Sequence, residues 1–295
     1  MLSPDELQQR SLMLQRMRNF FYKQGYTEVD TPVRLPVLIP EAEIVPLTSE
    51  DWFLQTSPEL CMKRLLAQGN KQIFQICPCF RKGEQGRLHQ EEFTMLEWYH
   101  VGWSYLELME ECEKMICQLA GKKSLVRVGR KVSLQRPWQR LSVDDAFQRY
   151  AGVPAQEAVH TEKFDLLLVE KIEPELGWDR PVFLYDYPIE LASLARPKSE
   201  KPGLAERFEL YIGGVELANG FSELTDPVVQ RDRFTEEVKK TGSYGRTCAM
   251  PEKFLAGLEA LPACAGIALG VDRLFMLLLE YDTLAQVLPF AQGDL

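Results

Sequence analysis

The residues of this chain that could do chemistry gather in two hairpin-like stretches. In the first, Ile73 to Arg81 (IFQICPCFR) and Glu92 to Tyr99 (EFTMLEWY) flank a polar segment, Lys82 to Gln90, with Gly83 and Gly86 as its flexible points. Side chains alternate along a strand, so Phe93, Met95, Glu97 and Tyr99 are expected on one face. That face offers an aromatic plate, a carboxylate and a phenol in a row. A carboxylate is costly to bury unless a cation meets it. A core arginine could meet Glu97 within an ordinary amphipathic hairpin, and so could a cationic ligand. In the second stretch, ERFELYIGGVELANGFSELTD (206–226), Gly213-Gly214 is a two-residue turn signal. Folding there pairs Ile212 with Val215, Tyr211 with Glu216 and Leu210 with Leu217. Glu209 and Glu216 become diagonal neighbours on one face, ~7–8 Å apart at the backbone. Two carboxylates so spaced can share a hard divalent cation, Mg²⁺ carrying ATP phosphates being the natural guest. A solvated acidic face is the plainer alternative.

Several elements must hold these stretches in place. Residues Ser3 to Gln24 have helical spacing, with Leu7, Leu12, Leu14, Met17, Phe20 and Phe21 as an apolar stripe and Ser3-Pro4-Asp5-Glu6 as a start signal. Gly25 ends that helix, and Tyr26 to Pro32 follows as a strand that proline interrupts. Ser57, Pro58 and Glu59 read as N-cap, first helical position and acidic first turn of a helix from Glu59 to Ala67. Trp103 to Leu119 has helical periodicity and should pack on the sheet. Gly121 to Arg140 reads as basic and irregular, and Leu141 to Leu176 as one or two helices broken at Gly152-Val-Pro154. Val182 to Leu194 resumes strand character. Ala265 to Leu279 is a glycine-spaced strand running into an apolar helix.

Bulk properties set the frame. The 295 residues, 45% hydrophobic and 26% charged, describe a globular protein able to bury a sizeable core. No apolar run is long enough to cross a bilayer, and MLSPDELQQR lacks the basic-then-apolar order of a signal peptide, so a cytoplasmic protein without a membrane partner is expected. Seven cysteines, an odd number, suit a reducing compartment, and Cys77-Pro78-Cys79 has no second pair to make a zinc site. The net charge of −9 supplies no global attraction to phosphate backbones.

Phe80 to Tyr99, FRKGEQGRLHQEEFTMLEWY, resembles motif 2 of class II aminoacyl-tRNA synthetases, closely that of the lysyl branch. The resemblance implies that Arg81 grips the ATP α-phosphate and the substrate carboxylate, that Phe93 stacks under the adenine, and that Glu97 and Tyr99 hold the amino acid. Glu84 and His89 would join the ATP loop. The family's glutamate two residues after the arginine is Gly83 here, leaving open which group meets the adenine amine, and Gln90-Glu91 replaces Asn-Pro. The first helix with GYTEVDTP resembles motif 1, which implies a homodimer. AGIALGVDRLFMLLL resembles motif 3, which implies that Arg273, with Gly270 nearby, covers the adenine and γ-phosphate side of ATP. In the second hairpin the likeness implies Mg²⁺ at Glu209 and Glu216 and an amino-acid site lined by Asn219, Phe221 and Glu223. Those three alternate away from Glu216, so a bulge near Ala218 to Gly220 is required. Ser57 and Glu59 would border the same pocket.

The expected fold is therefore α+β: a class II synthetase catalytic domain, a mainly antiparallel sheet flanked by helices, as a single domain over 1–295 with a less specific insertion at about 121–177. Motif 1 begins almost at residue 1, so no anticodon-binding domain and no tRNA partner are expected. Ala268 stands where lysyl-tRNA synthetases usually carry glycine, and its methyl would displace a substrate's backbone amine. Both features are similar to the short lysyl-synthetase paralogues that act as elongation factor P–lysine ligases. That likeness implies activation of lysine, typically (R)-β-lysine, by ATP and transfer to a lysine of elongation factor P. A truncated lysyl-tRNA synthetase, an amino-acid:carrier-protein ligase and a non-catalytic regulatory paralogue are the alternatives.

Overall fold

A computed structural model describes residues 2–291 and 294. Helix α1 (Pro4–Lys23) opens on a capping box, in which the Glu6 N–H donates to the Ser3 hydroxyl and the Ser3 N–H donates to the Glu6 carboxylate. Gly25, at φ +85°, turns the chain out of it. The buried stripe is Met13, Met17, Phe20 and Phe21, whereas Leu7 and Leu12 of the expected stripe are exposed. Met13 keeps the i, i+4, i+7, i+8 spacing that Leu7 and Leu12 break. Helices α2 (Glu59–Ala67) and α3 (Tyr105–Ala120) lie where their spacing predicts. Pro58 occupies the cap position of α2, one place earlier than expected, and the Ser57 hydroxyl still accepts from the Glu59 N–H at 3.0 Å.

The strands are β1 (Thr27–Glu28), β2 (Arg34–Leu35), β3 (Thr48–Ser49), β4 (Trp52–Leu54), β5 (Gln72–Phe80), β6 (Glu92–Val101), β7 (Ser124–Arg127), β8 (Arg130–Ser133), β9 (Gln139–Ser142), β10 (Val182–Pro188), β11 (Pro197–Lys198), β12 (Lys201–Ile212), β13 (Val215–Ser222) and β14 (Cys264–Gly270). Nine of them form one sheet in the order β1-β5-β6-β14-β13-β12-β10-β9, with β11 beside β12. Its pairs are antiparallel except β1 with β5 and β9 with β10. This is the expected α+β architecture. Strands β2, β4 and β3 make a small second sheet, and β7 with β8 a separate hairpin.

That last hairpin replaces the irregular stretch expected from Gly121 to Arg140. Its turn residues Val128 and Gly129 both have positive φ, 46° and 72°. Valine is strained there, so the usual Asn-Gly or Asp-Gly signal is missing from the sequence. The following segment folds as short helical pieces rather than one or two helices, with the break at Gly152 where expected. Phe147, Phe164 and Ile172 from these pieces pack on Val182, Leu184 and Tyr211 of the sheet. Strand β10 stops at Pro188, and Ile189–Leu191 forms a 3₁₀ turn instead of continuing to Leu194.

One sheet face carries α1, α3 and the Val271–Leu278 helix over Met17, Phe21, Trp98, Cys112, Ile116, Ile267 and Leu274. Burying each large apolar side chain there stabilises the fold by about 1.5–3 kcal/mol. The other face carries α2 and the Pro227–Ser243 helix, which pack through Leu60, Leu66 and Phe234 and leave a cleft over β6, β14 and β13. Among the described residues no helix is long and apolar enough to cross a membrane.

Candidate active site

Strand register builds the cleft floor as cross-strand rows. Arg207, Phe221, Gly266 and Tyr99 make one row across β12, β13, β14 and β6, and Glu209, Asn219, Ala268 and Glu97 make the next. Side chains in such rows share a face, which explains how residues from four strands converge. The β12–β13 pairing keeps Ile212 opposite Val215 and Tyr211 opposite Glu216, but Leu210 faces Ala218 instead of Leu217. Leu217 is the extra residue of a bulge. The required phase change thus occurs one residue before the Ala218 to Gly220 span. It returns Asn219 and Phe221 to the face of Glu216. Gly220 does not form the bulge; a Cβ there would lie 2.7 Å from Phe208 Cζ and 2.9 Å from Ile267 Cβ on the core side.

The cleft encloses about 520 Å³ and is lined by Ser57, Glu59, Arg81, Glu84, His89, Phe93, Glu97, Tyr99, Glu216, Asn219, Phe221, Ala268, Gly270 and Arg273. Two anticipated residues are not on its wall. Glu223 lies beneath the floor, with Oε1 2.7 Å from where a Gly266 Cβ would stand. Glu209 lies behind Arg207, which donates to it at 2.6 Å, as do the Tyr187 and Tyr211 hydroxyls at 2.6 and 2.7 Å.

One end of the cleft is acidic. Tyr99 donates to Glu97 Oε1 at 2.5 Å and Ser57 to Oε2 at 2.8 Å. Lys63 of α2, fully buried, pairs with both Glu59 and Glu223 and sits 5.3 Å from the Phe221 ring centroid. Burial pushes the Glu97 carboxyl up to about 8, and the nearby Glu59 carboxylate adds to the shift. Burial likewise pushes Glu223 up to about 8 against the opposing pull of Lys63. Burial also acts against charge on Lys63, but Glu223 and Glu59 outweigh it and hold the ammonium above its ordinary range. The shifts are consistent, because one ammonium cannot neutralise three carboxylates. Glu223 Oε1 is buried and has no hydrogen-bond donor.

The other end carries the two arginines. The Arg81 guanidinium stands 5.2 Å from the Phe93 ring centroid and 3.8 Å from Glu84. Arg273 donates to the Leu88 carbonyl at 3.1 Å and the Glu216 carbonyl at 2.8 Å, and lies 2.8 Å from His89 Nε2. Burial and then Arg273 lower the His89 pKa, which favours the neutral ring, the form whose Nε2 can accept from Arg273. The Glu216 carboxylate meets Arg273 only at 3.5 Å. Burial, and then the Glu209 charge, push it up to about 7. Of this pair only Glu216 faces the cleft, since Glu209 is taken up by Arg207, Tyr187 and Tyr211. Mg²⁺ typically takes one or two carboxylates together with phosphate oxygens, and Glu216 fits as one such ligand.

Sequence reasoning missed Lys63, Arg207 and Glu41. Lys63 stands four residues after Glu59 on α2, which signals a pair but equally describes a solvated helix face. Arg207 precedes Glu209 by two and so shares its strand face. Glu41, in a proline-bounded loop, carried no signal.

Comparison with known proteins is decisive for the family. A family model described as tRNA synthetases class II (D, K and N) matches residues 3–294. An elongation factor P–(R)-β-lysine ligase of Pectobacterium atrosepticum is 37% identical over 306 residues, covering 97% of this chain and 94% of that protein. The Edwardsiella ictaluri protein of that name is 38% identical over 310 residues, with the same coverage. An Aquifex aeolicus homolog of the ligase is 37% identical over 298 residues, covering 92% and 94%. The chain thus belongs to the class II tRNA synthetase family, whose members are ATP-dependent ligases.

Proposed function

We propose that the chain activates (R)-β-lysine with ATP as an aminoacyl-adenylate and transfers the acyl group to a lysine side chain of elongation factor P. The observation that carries this reading is the charge of the acidic end. Three carboxylates, Glu59, Glu97 and Glu223, surround the buried Lys63, and once Glu97 and Glu223 ionise the negative excess of two suits a substrate with two ammonium groups. The names of the relatives supply the acceptor. Ala268, between Asn219 and Glu97 in the row, supports a β-amino acid, whose amine is set one carbon further from the carboxylate.

Glu97 receives one substrate ammonium on the cleft wall, and Glu223 Oε1, which lies under the side-chain-free Gly266 and meets no donor, attracts the other from beneath the floor, with Tyr99, Ser57 and Asn219 fixing their orientation. Phe93 supports the adenine and Gly270 allows close approach of the nucleotide. Arg81 draws the substrate carboxylate toward the α-phosphorus, where the carboxylate oxygen attacks and pyrophosphate leaves. Arg81 and Arg273 oppose the charge that grows on the phosphates, which is positional and electrostatic catalysis. Glu216, and Glu209 once Arg207 releases it, would hold Mg²⁺, which when bound neutralises phosphate charge. A homodimer through α1 is supported by the exposed Leu7, Leu12 and Tyr22, and a cytoplasmic setting by seven free cysteines.

The test is ATP–pyrophosphate exchange with α- and (R)-β-lysine side by side, followed by mass spectrometry of elongation factor P and acceptance assays with bulk tRNA. A lysyl mass increment on elongation factor P and no charged tRNA are expected. Charged tRNA with unmodified elongation factor P would overturn the reading.

A further inference from the structure

Glu41 lines the margin of the cleft, where it adjoins a second cavity of about 370 Å³ that also holds Lys82, Arg246 and Cys248. None of the steps above uses it. Its loop is fastened to the Pro227–Ser243 helix and the turn beyond: the Ala42 N–H donates to Glu237 at 2.7 Å, Lys240 pairs with Glu43 at 2.8 Å, and Arg246 donates to the Ala42 and Ile44 carbonyls. The Glu41 carboxylate, half-buried, makes no hydrogen bond or ion pair among the described residues. The charged groups acting on it are Glu59 of α2, Arg81 beyond β5, Glu237 of the Pro227–Ser243 helix and Arg207 of β12. A rigid loop thus presents an unpartnered carboxylate beside the arginine that would hold the α-phosphate.

We infer that Glu41 is the base of the transfer step, taking a proton from the ε-ammonium of the acceptor lysine beside the adenylate. This rests on the lysine-acceptor reaction proposed above. A lysine ammonium, with a pKa of roughly 10.4, has no free electron pair near neutral pH and cannot attack until it loses a proton. The proton passes to Glu41. The nitrogen pair then forms the N–C bond to the acyl carbon, the bond from that carbon to the phosphate oxygen breaks, and its electron pair leaves with AMP. The nitrogen's second proton and the one on Glu41 pass to solvent. A base works best when its pKa lies near the working pH, and burial, then Glu59, push the Glu41 carboxyl up to about 7. The other carboxylates of the cleft and its floor are committed: Glu59 and Glu223 to Lys63, Glu97 to Ser57 and Tyr99, Glu216 to the Arg273 side, Glu84 to Arg81, Glu43 to Lys240, Glu237 to the Ala42 N–H and Asp272 to Arg10.

The test compares wild type with Glu41→Gln, which removes no contact the fold depends on. Enzyme loaded with adenylate is mixed in single turnover either with elongation factor P or with hydroxylamine, an amine already neutral at this pH. Transfer to elongation factor P should slow by about 100-fold, in the range of general-base effects, with hydroxylamine capture unchanged. The deficit should narrow as pH rises and free amine appears, and Glu41→Asp should recover part of the rate. Equal loss toward both amines, no loss, or a weaker acceptor affinity with the limiting rate intact would each overturn the inference. A wild-type enzyme that forms no conjugate would instead overturn the proposed function.

Discussion

Replacing Gly266 by alanine offers a sharp test of how the sheet builds the substrate site. A Cβ at Gly266 would stand 2.2 Å from Tyr99 Cε1, 2.5 Å from Cδ1 and 2.7 Å from Glu223 Oε1. Carbon contacts relax at about 3.5–4.0 Å, so the ring must retreat by over ~1 Å. Tyr99 is buried and bonded to Glu97, which is bonded in turn to Ser57, so the displacement reaches every group proposed to orient the ammoniums. Overpacking of this kind costs about 1–3 kcal/mol of stability. A misplacement of ~1 Å can cost a reaction on the order of 100-fold. Gly220→Ala is the control, since its Cβ meets Phe208 and Ile267 within 2.7–2.9 Å on the opposite, core face. Thermal denaturation should show both variants weakened. In ATP–pyrophosphate exchange only Gly266→Ala should raise the KM for the diamino acid and lower kcat/KM. Unchanged exchange in Gly266→Ala, or the same kinetic defect in Gly220→Ala, would refute the argument.

Arg81→Ala should lose ~3 kcal/mol of activation, about 100-fold in exchange rate, as single charge-stabilising donors do elsewhere; full exchange would remove Arg81 from the mechanism. Ala268→Gly should improve use of α-lysine relative to β-lysine, and unchanged selectivity would remove Ala268 from the argument. Glu97 and Glu223, both pushed up to about 8, must ionise to meet two ammonium groups. Diamino-acid binding near neutral pH should therefore release protons and tighten as pH rises toward 8, which calorimetry in buffers of different ionisation enthalpy measures; binding without proton release would count against it. The same raised values mean that the folded protein holds more protons than the unfolded chain. Unliganded stability should fall as pH climbs from the ordinary 4.5 toward 8, and thermal unfolding across that window checks the sign.

Local patterns made much of the architecture legible. Alternation placed Phe93, Met95, Glu97 and Tyr99 together, and Gly213-Gly214 set the first two pairs of the second hairpin correctly. The Leu217 bulge was legible as a need but not as a position, because a bulge is chosen by the packing of neighbouring strands and leaves no residue signature of its own. The β7–β8 hairpin hid behind a valine at positive φ, held there by the burial of Leu125 and Val132 rather than by turn propensity. Lys63 and Glu41 were invisible for a related reason. A lysine on a helix and a glutamate in a loop look solvated until the tertiary fold closes over them.

Leu217 also sets what this binding surface tolerates. The strand from Val215 to Ser222 behaves as two rulers with different zero marks, Glu216 read on one and Asn219 and Phe221 on the other. Deleting Leu217 would merge the two: Asn219 would then follow Glu216 by two, and plain alternation would keep the asparagine and the phenylalanine in the cleft. The extra residue therefore fixes the spacing between the nucleotide side and the amino-acid side rather than which way these side chains face.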